Sequence, residues 1–288
     1  MSTRELSVPP GDARHACLPE VEELELELLL EALVQRFGFD FRTHERTALK
    51  RKLFALRQRR GLHTLSQLQD RVLHDVATSS ALLRALSVQP ASMFDDPLEA
   101  SQFAAVAEHC LPGAPLPKIW LADCAGAEQA WTVAVLLAER ELLGRVEIYA
   151  TVASDALLEE ALSATIAPAL MGSYQRSYEQ AGGTGRLADY FQCDGDALVP
   201  LPQLRSRITW AQYNLVTDSS FNEFQLIVCR RALPDFGPLL RHRVLQLFHD
   251  SLAVFGVLGI DREIDAGERL GGQYQQLLAR QPWYRRVG

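Results

Sequence analysis

Residues 118–137 read KIWLADCAGAEQAWTVAVLL, and the fold turns on this stretch. A short apolar run, Ile119-Trp120-Leu121, leads into a turn of small residues, Asp123-Cys124-Ala125-Gly126-Ala127-Glu128. Apolar residues then recur at Ala130, Val133, Ala134 and Leu137, the spacing of one helix face. Strand, small-residue turn and helix form the opening unit of a doubly wound sheet. Glycines in such a turn let the backbone come close to a nucleotide or S-adenosyl ligand. Here the turn holds one glycine, so it has the outline of a ligand loop with much of the chemistry removed.

On the N-terminal side, residues 1–19 read as a flexible tail with Pro9, Pro10, Gly11 and Pro19. Glu20 to Phe37 is acidic with a helical apolar face of Leu26, Leu29, Leu30, Leu33 and Phe37, ended by Gly38. Residues 39–62 are strongly basic, and Leu49, Leu53 and Leu56 face a core. Arg46, Arg51 and Arg57 belong either to a docking face for an acidic partner or to an internal pairing with the acidic helix. With two short helices over 64–86, residues 20–86 make a small all-helical domain. Residues 87–117 are a linker and a helix.

Downstream, Val146 to Ala150 reads as a second strand and Asp155 to Thr165 as a second helix. Residues 168–186 read as irregular, and Gly182-Gly183-Thr184-Gly185 as a flexible loop, since it follows no strand and opens no helix. A turn at Asp194-Gly195-Asp196 marks a small antiparallel insertion over about 187–213. Phe224 to Cys229 (FQLIVC) has the apolar run of a buried parallel strand. An amphipathic helix over 238–252, with Leu239, Val244, Leu245, Leu247 and Phe248, precedes a further strand at 254–260. Residues 268–288 carry no clear pattern.

At 288 residues the chain accommodates one or two domains with a sizeable core. A net charge of −7 argues against general nucleic-acid binding. Cys17, Cys110, Cys124, Cys193 and Cys229 lack CxxC spacing, which fits a reducing compartment, and Cys124 and Cys229 read as small buried residues. The seven histidines show no ligand spacing, so no metal site is expected. With no apolar signal core and no membrane-length run, the expected location is the cytoplasm.

The order of these pieces becomes specific when taken together. A helical domain, a linker ending Phe94-Asp95-Asp96-Pro97, the Ile119-Trp120 strand with Cys124-Ala125 in its turn, Ala150-Thr151, Asn214-Leu215 and a strand ending Cys229-Arg230 resemble the CheR-type chemoreceptor methyltransferases. The resemblance runs from about residue 28 to 260. It implies an α/β fold, a Rossmann-like S-adenosylmethionine (SAM) methyltransferase sheet with a small β insertion over 118–288, preceded by the all-α domain. It also implies methyl transfer to glutamate side chains of a bacterial chemoreceptor, with SAM as donor and no metal. The organisation is similar to the version serving type IV pilus chemosensing.

Carried over residue by residue, the pattern is damaged. The family linker reads like NVTxFFRDP; here Gln89 stands for the Asn, Ala91 for the Thr and Asp95 for the Arg that lies by the methyl donor and target carboxylate. An aspartate at that place reverses the charge, and neighbouring carboxylates repel or protonate. The turn, GCATGEE-like in the family, has Asp123 and Ala127 at glycine positions and keeps Glu128. Val152 replaces the aspartate that holds the ribose hydroxyls and cannot accept their hydrogen bonds. Asn214 and Leu215, which bracket the adenine, are retained, as is Arg230. Arg231 and Asp235 replace an Asn and a substrate-side Tyr.

These changes point to a non-catalytic methyltransferase-fold protein, a binding or regulatory module with weak or absent SAM binding. The alternative is an active glutamate methyltransferase with a rearranged site using Glu128, Asn214 and Arg230. A third reading has Arg230 and Arg231 holding an anionic ligand. The basic helix around Arg46, Arg51 and Arg57 matches the region that faces the receptor in the family.

Overall fold

The computed structural model describes residues 20–264 and 271–288; the tail assigned to 1–19 lies outside them. Four helices come first: α1 (Val21–Phe37), α2 (Arg46–Arg59), α3 (Leu65–His74) and α4 (Val76–Leu86). Their leucine faces close on one another, with Leu26, Leu30, Leu33, Leu53, Leu65 and Leu82 fully buried. Local chemistry fixes the ends. Glu45 accepts the Ala48 N–H at 2.7 Å to cap α2, and the Thr64 side chain caps α3.

The linker after α4 leads into α5 (Pro97–Cys110), where Asp96 caps the Glu99 N–H at 2.9 Å and Pro97 takes the first turn. The sheet follows. Strands β1 (Lys118–Leu121), β2 (Glu147–Val152), β5 (Ile208–Gln212), β6 (Phe224–Cys229) and β7 (Leu252–Ile260) run parallel in the order β5-β2-β1-β6-β7. The antiparallel strands β9 (Trp283–Arg286) and β8 (Tyr274–Gln276) extend the β7 edge. Helices α6 (Ala127–Glu139), α7 (Asp155–Leu162) and α10 (Pro238–Ser251) pack on the sheet. The chain moves from β1 to β2 and β5 on one side and later to β6 and β7 on the other. That reversal beside β1 opens a crevice at the carboxyl ends of β1 and β6.

Trp120 of β1 anchors one face of the sheet. Its ring meets Tyr213, Phe221, Phe224 and Phe248 at 5.2–5.5 Å, and its Nε1–H donates to Thr151 Oγ1 at 2.8 Å.

Three elements differ from expectation. The segment 168–186 is not irregular: a 3-10 turn (Pro168–Leu170) leads into helix α8 (Met171–Gln180), whose inward residues are Tyr174 and Tyr178. A four-residue period built on tyrosines rather than aliphatics hid this helix. The insertion is shorter than 187–213. Strands β3 (Phe191–Asp194) and β4 (Ala197–Pro200) form the antiparallel ribbon, then a short helix α9 (Pro202–Arg205) leads into β5, which joins the main sheet beside β2. Leu239 is exposed, and Leu240 supplies the inward contact of α10.

The helical domain is tied to the sheet domain through residues 43–45. Gly237 N–H donates to Thr43 O at 3.0 Å, and Glu45 N–H donates to Asp235 O at 2.8 Å. A Cβ on Gly237 would stand 2.6 Å from Thr43 O. Gly237→Ala is therefore expected to lower the urea midpoint, with a cost of about 1–3 kcal/mol. An unchanged midpoint would show that this junction is looser than the geometry requires.

Candidate functional site

Two adjoining cavities occupy the crevice. One, with about 700 Å³ of space when its open mouth is included, lies between the helical domain and the ends of β2, β5 and β6. The other, with about 640 Å³ on the same measure, lies over the β1–α6 turn and α7. Asp123 and Val88 border both.

The turn is built by backbone bonds between elements. Ala122 N–H donates to Val228 O at 2.9 Å and Cys124 N–H to Thr151 O at 2.7 Å, so the turn sits on β6 and β2. Asp123 is in the left-handed region at φ 50°, a conformation that suits glycine and costs aspartate less than most other residues. Gly126, at φ 92°, precedes the first turn of α6, where the small Ala127 is buried. Glu128 uses a carboxylate oxygen to accept the Met93 N–H at 2.9 Å, and Thr132 Oγ1 accepts the Phe94 N–H at 3.1 Å. Ala91 N–H donates to Ala125 O at 2.8 Å, which lays the linker across the turn. Gln89 is exposed and donates back to Ser87 O at 3.2 Å.

Val152 ends β2 buried, and its carbonyl accepts the Tyr213 N–H at 2.9 Å. Asn214 and Leu215 border the larger cavity, where the Asn214 side chain accepts the Val216 N–H at 2.9 Å. The retained Glu128 and the altered Ala91, Asp123, Ala127 and Val152 all border the smaller one.

The charge pattern is the finding that sequence reasoning missed. Arg231 Nη2 lies 2.5 Å from Asp95 Oδ2, so two of the positions singled out in the sequence pair with each other. Lys52 Nζ, from α2, lies 2.5 Å from Asp235 Oδ2 and also donates to Leu86 O at 3.1 Å. Arg230 does not enter either cavity. It pairs with Glu99 at 3.5 Å, donates to Ile260 O at 2.6 Å and lies 5.4 Å from the Trp283 ring centroid. Both arginines proposed for an anion are thus committed to carboxylates. A signal for one pair was present: a cation lost at 95 and gained at 231 is what a displaced charge leaves behind.

Burial raises the Asp123 carboxyl to about 6; Lys52 pulls it back and Asp235 adds to the rise. Among the described residues, no donor or cation touches that carboxylate. Burial lowers His44, packed between Phe41 and Phe236, to about 4, so it is neutral at pH 7. The same cause pushes the Cys124 thiol up to about 12 and Cys229 well above its usual value, the opposite of an activated nucleophile.

The basic helix is partly spent inside the domain. Arg46 pairs with Glu27, Lys50 with Glu23 at 2.5 Å and Arg42 with Glu31 at 3.0 Å, joining α2 and its approach to α1. Arg57 lies over the Phe54 ring at 4.8 Å, while Arg51 is exposed.

A parallel sheet with a crevice at its switch point, a strand–turn–helix at its first strand and a helical domain beside them define a doubly wound α/β protein with a ligand cleft. Residues 99–269 match the CheR methyltransferase SAM-binding domain, and residues 24–87 match the CheR methyltransferase all-alpha domain. The chain belongs to the CheR methyltransferase family. A Pseudomonas putida protein named as a methyltransferase, Cher3, is 37% identical over 249 residues, covering 84% of this chain and 90% of the relative. A Listeria innocua chemotaxis protein methyltransferase is 25% identical over 229 residues, covering 77% and 83%. Among the described residues, no group of His, Cys, Asp or Glu could hold a metal, and no helix is long and apolar enough to cross a membrane.

The cleft fits an S-adenosyl group in its two-part shape and in the free Asp123 carboxylate, and falls short at Val152, which offers the ribose no side-chain acceptor.

Folding raises the Asp123 carboxyl from 3.8 to about 6, so the folded chain holds this proton more tightly than the unfolded chain. Its favourable contribution is complete below 3.8 and is lost as pH rises through about 6. Asp123→Asn, which keeps a side chain tolerant of the left-handed backbone, should stabilise the protein at pH 7.5 by about 1–3 kcal/mol. Thermal denaturation should show the gain shrinking towards pH 4. An equal gain at both pH values would remove the charge as its cause.

Proposed function

We propose that this CheR-family chain serves a bacterial chemosensory pathway as a binding or regulatory module that no longer methylates glutamate. The contact between Arg231 and Asp95 carries the reading. Glutamate methylation brings a carboxylate to a donor, and a cation beside it steadies the nucleophile while a carboxylate repels it. Here the arginine position is Asp95, and the nearest replacement cation, Arg231, is neutralised by that same aspartate. Asp235, at the substrate-side tyrosine position, borders the cleft with its carboxylate held by Lys52.

The partner is a bacterial chemoreceptor, in keeping with relatives named as chemotaxis methyltransferases. Arg51 and Arg57 on α2 provide the docking charge, since Arg46 is engaged by Glu27. A receptor coupled to type IV pili is the first to assay.

Incubation with methyl-labelled SAM and a cognate receptor tests the reading. No transfer above background is expected, with a transferring CheR protein as control. Labelled receptor glutamate would establish the alternative, an active enzyme with a rearranged site, which the open cleft favours. In the same preparation, Arg51→Glu with Arg57→Glu should weaken receptor association by about tenfold at low salt. Unchanged association would remove α2 as the docking face.

A further inference from the structure

The two cavities differ in character. The larger has ring and aliphatic walls, among them Phe39, Phe41, Tyr213, Leu215 and Phe236, with Asn214 at its side. The smaller is walled by the turn from Asp123 to Glu128. A flat base suits the first, and a short polar chain suits the second. A ligand with both parts carries its linking atom past Asp123, which borders both spaces.

Asp123 also differs from every other charged side chain around the cavities. Asp40 is paired with Arg42 at 2.8 Å, Asp235 with Lys52 at 2.5 Å and Glu160 with Arg84 at 3.3 Å. Glu128 accepts the Met93 N–H. His44 is neutral. Asp123 alone, among the described residues bordering the cavities, presents a carboxylate with no contacting donor or cation. A charge left uncompensated in a half-enclosed site is unfavourable, and a ligand cation that meets it is favoured.

We propose that Asp123 makes this cleft selective for the charge on the ligand's linking atom: it holds SAM, whose sulfur is a sulfonium cation, in preference to S-adenosylhomocysteine (SAH), whose sulfur is a neutral thioether. The inference rests on the SAM-binding domain to which the chain belongs, and it is independent of whether methyl transfer survives. The two ligands share their adenosine, ammonium and carboxylate groups, so only the methyl group and the charge at sulfur separate them. With Val152 giving the ribose no side-chain acceptor, the charge at sulfur takes a larger part in affinity. A carboxylate at this turn position, which would crowd a glycine-built loop, thereby becomes a binding residue.

Calorimetry of SAM and SAH with the full chain tests the inference. The wild type is expected to bind SAM about tenfold or more tightly than SAH, a ratio that one close charge contact supplies. Asp123→Asn should bring the two within about threefold, mainly by losing SAM affinity. Asp123→Gly, which suits the φ of 50°, should do the same, so that misfolding of one variant does not decide the result. Equal weakening of both ligands would place Asp123 at the shared ammonium and overturn the inference. So would an unchanged ratio in the variants, a wild type that prefers SAH, or no binding of either ligand. Labelled methyl transfer by the wild type would remove the non-catalytic reading and leave this one standing; an unmoved SAM-to-SAH ratio would do the reverse.

Discussion

The Lys52 ammonium holds the cleft together. It leaves α2, meets the Asp235 carboxylate at 2.5 Å and donates to Leu86 O at 3.1 Å. One side chain thereby ties the second helix, the end of the fourth and the loop after β6. Both charges are mostly buried, so removing either would strand the other in a poor solvent. The bridge between His44 and Phe236 and the close approach of Gly237 to Thr43 lie on the same junction. The larger cavity exists because this junction sets the helical domain against the carboxyl ends of the strands.

Asp95 and Arg231 satisfy each other, as do Asp235 and Lys52. Each pair links segments far apart in the chain. Asp235 borders the cleft, while Asp95 and Arg231 line a separate hollow beside α5. Asp123 has no such partner among the described residues, and burial raises its carboxyl.

The framework was legible in the sequence because it rests on local pattern. Ile119-Trp120-Leu121 and FQLIVC are apolar runs that both faces of a parallel sheet require, and the leucines of α1 recur at helical spacing. The helix at Met171–Gln180 was not legible, because its buried face is two tyrosines among polar residues. Ile208–Gln212 read as part of the small antiparallel insertion, whereas it pairs parallel with β2, since local pattern specifies a face and not a neighbour. The charge pairs around the cleft were not legible in the sequence. Lys52 lies 183 residues from Asp235, and Asp95 lies 136 from Arg231. No periodicity connects them, and only the fold brings them together.

That the altered polar positions now serve as struts is tested most directly by a double-mutant cycle on Lys52 and Asp235. Stability of the wild type, Lys52→Met, Asp235→Asn and the double variant is measured by urea denaturation. A favourable coupling of about 1–3 kcal/mol is predicted, with the double variant less damaged than the two single losses together imply. Additive losses would contradict it, because Asp235 would then be free of Lys52 in solution and available for a role in the site.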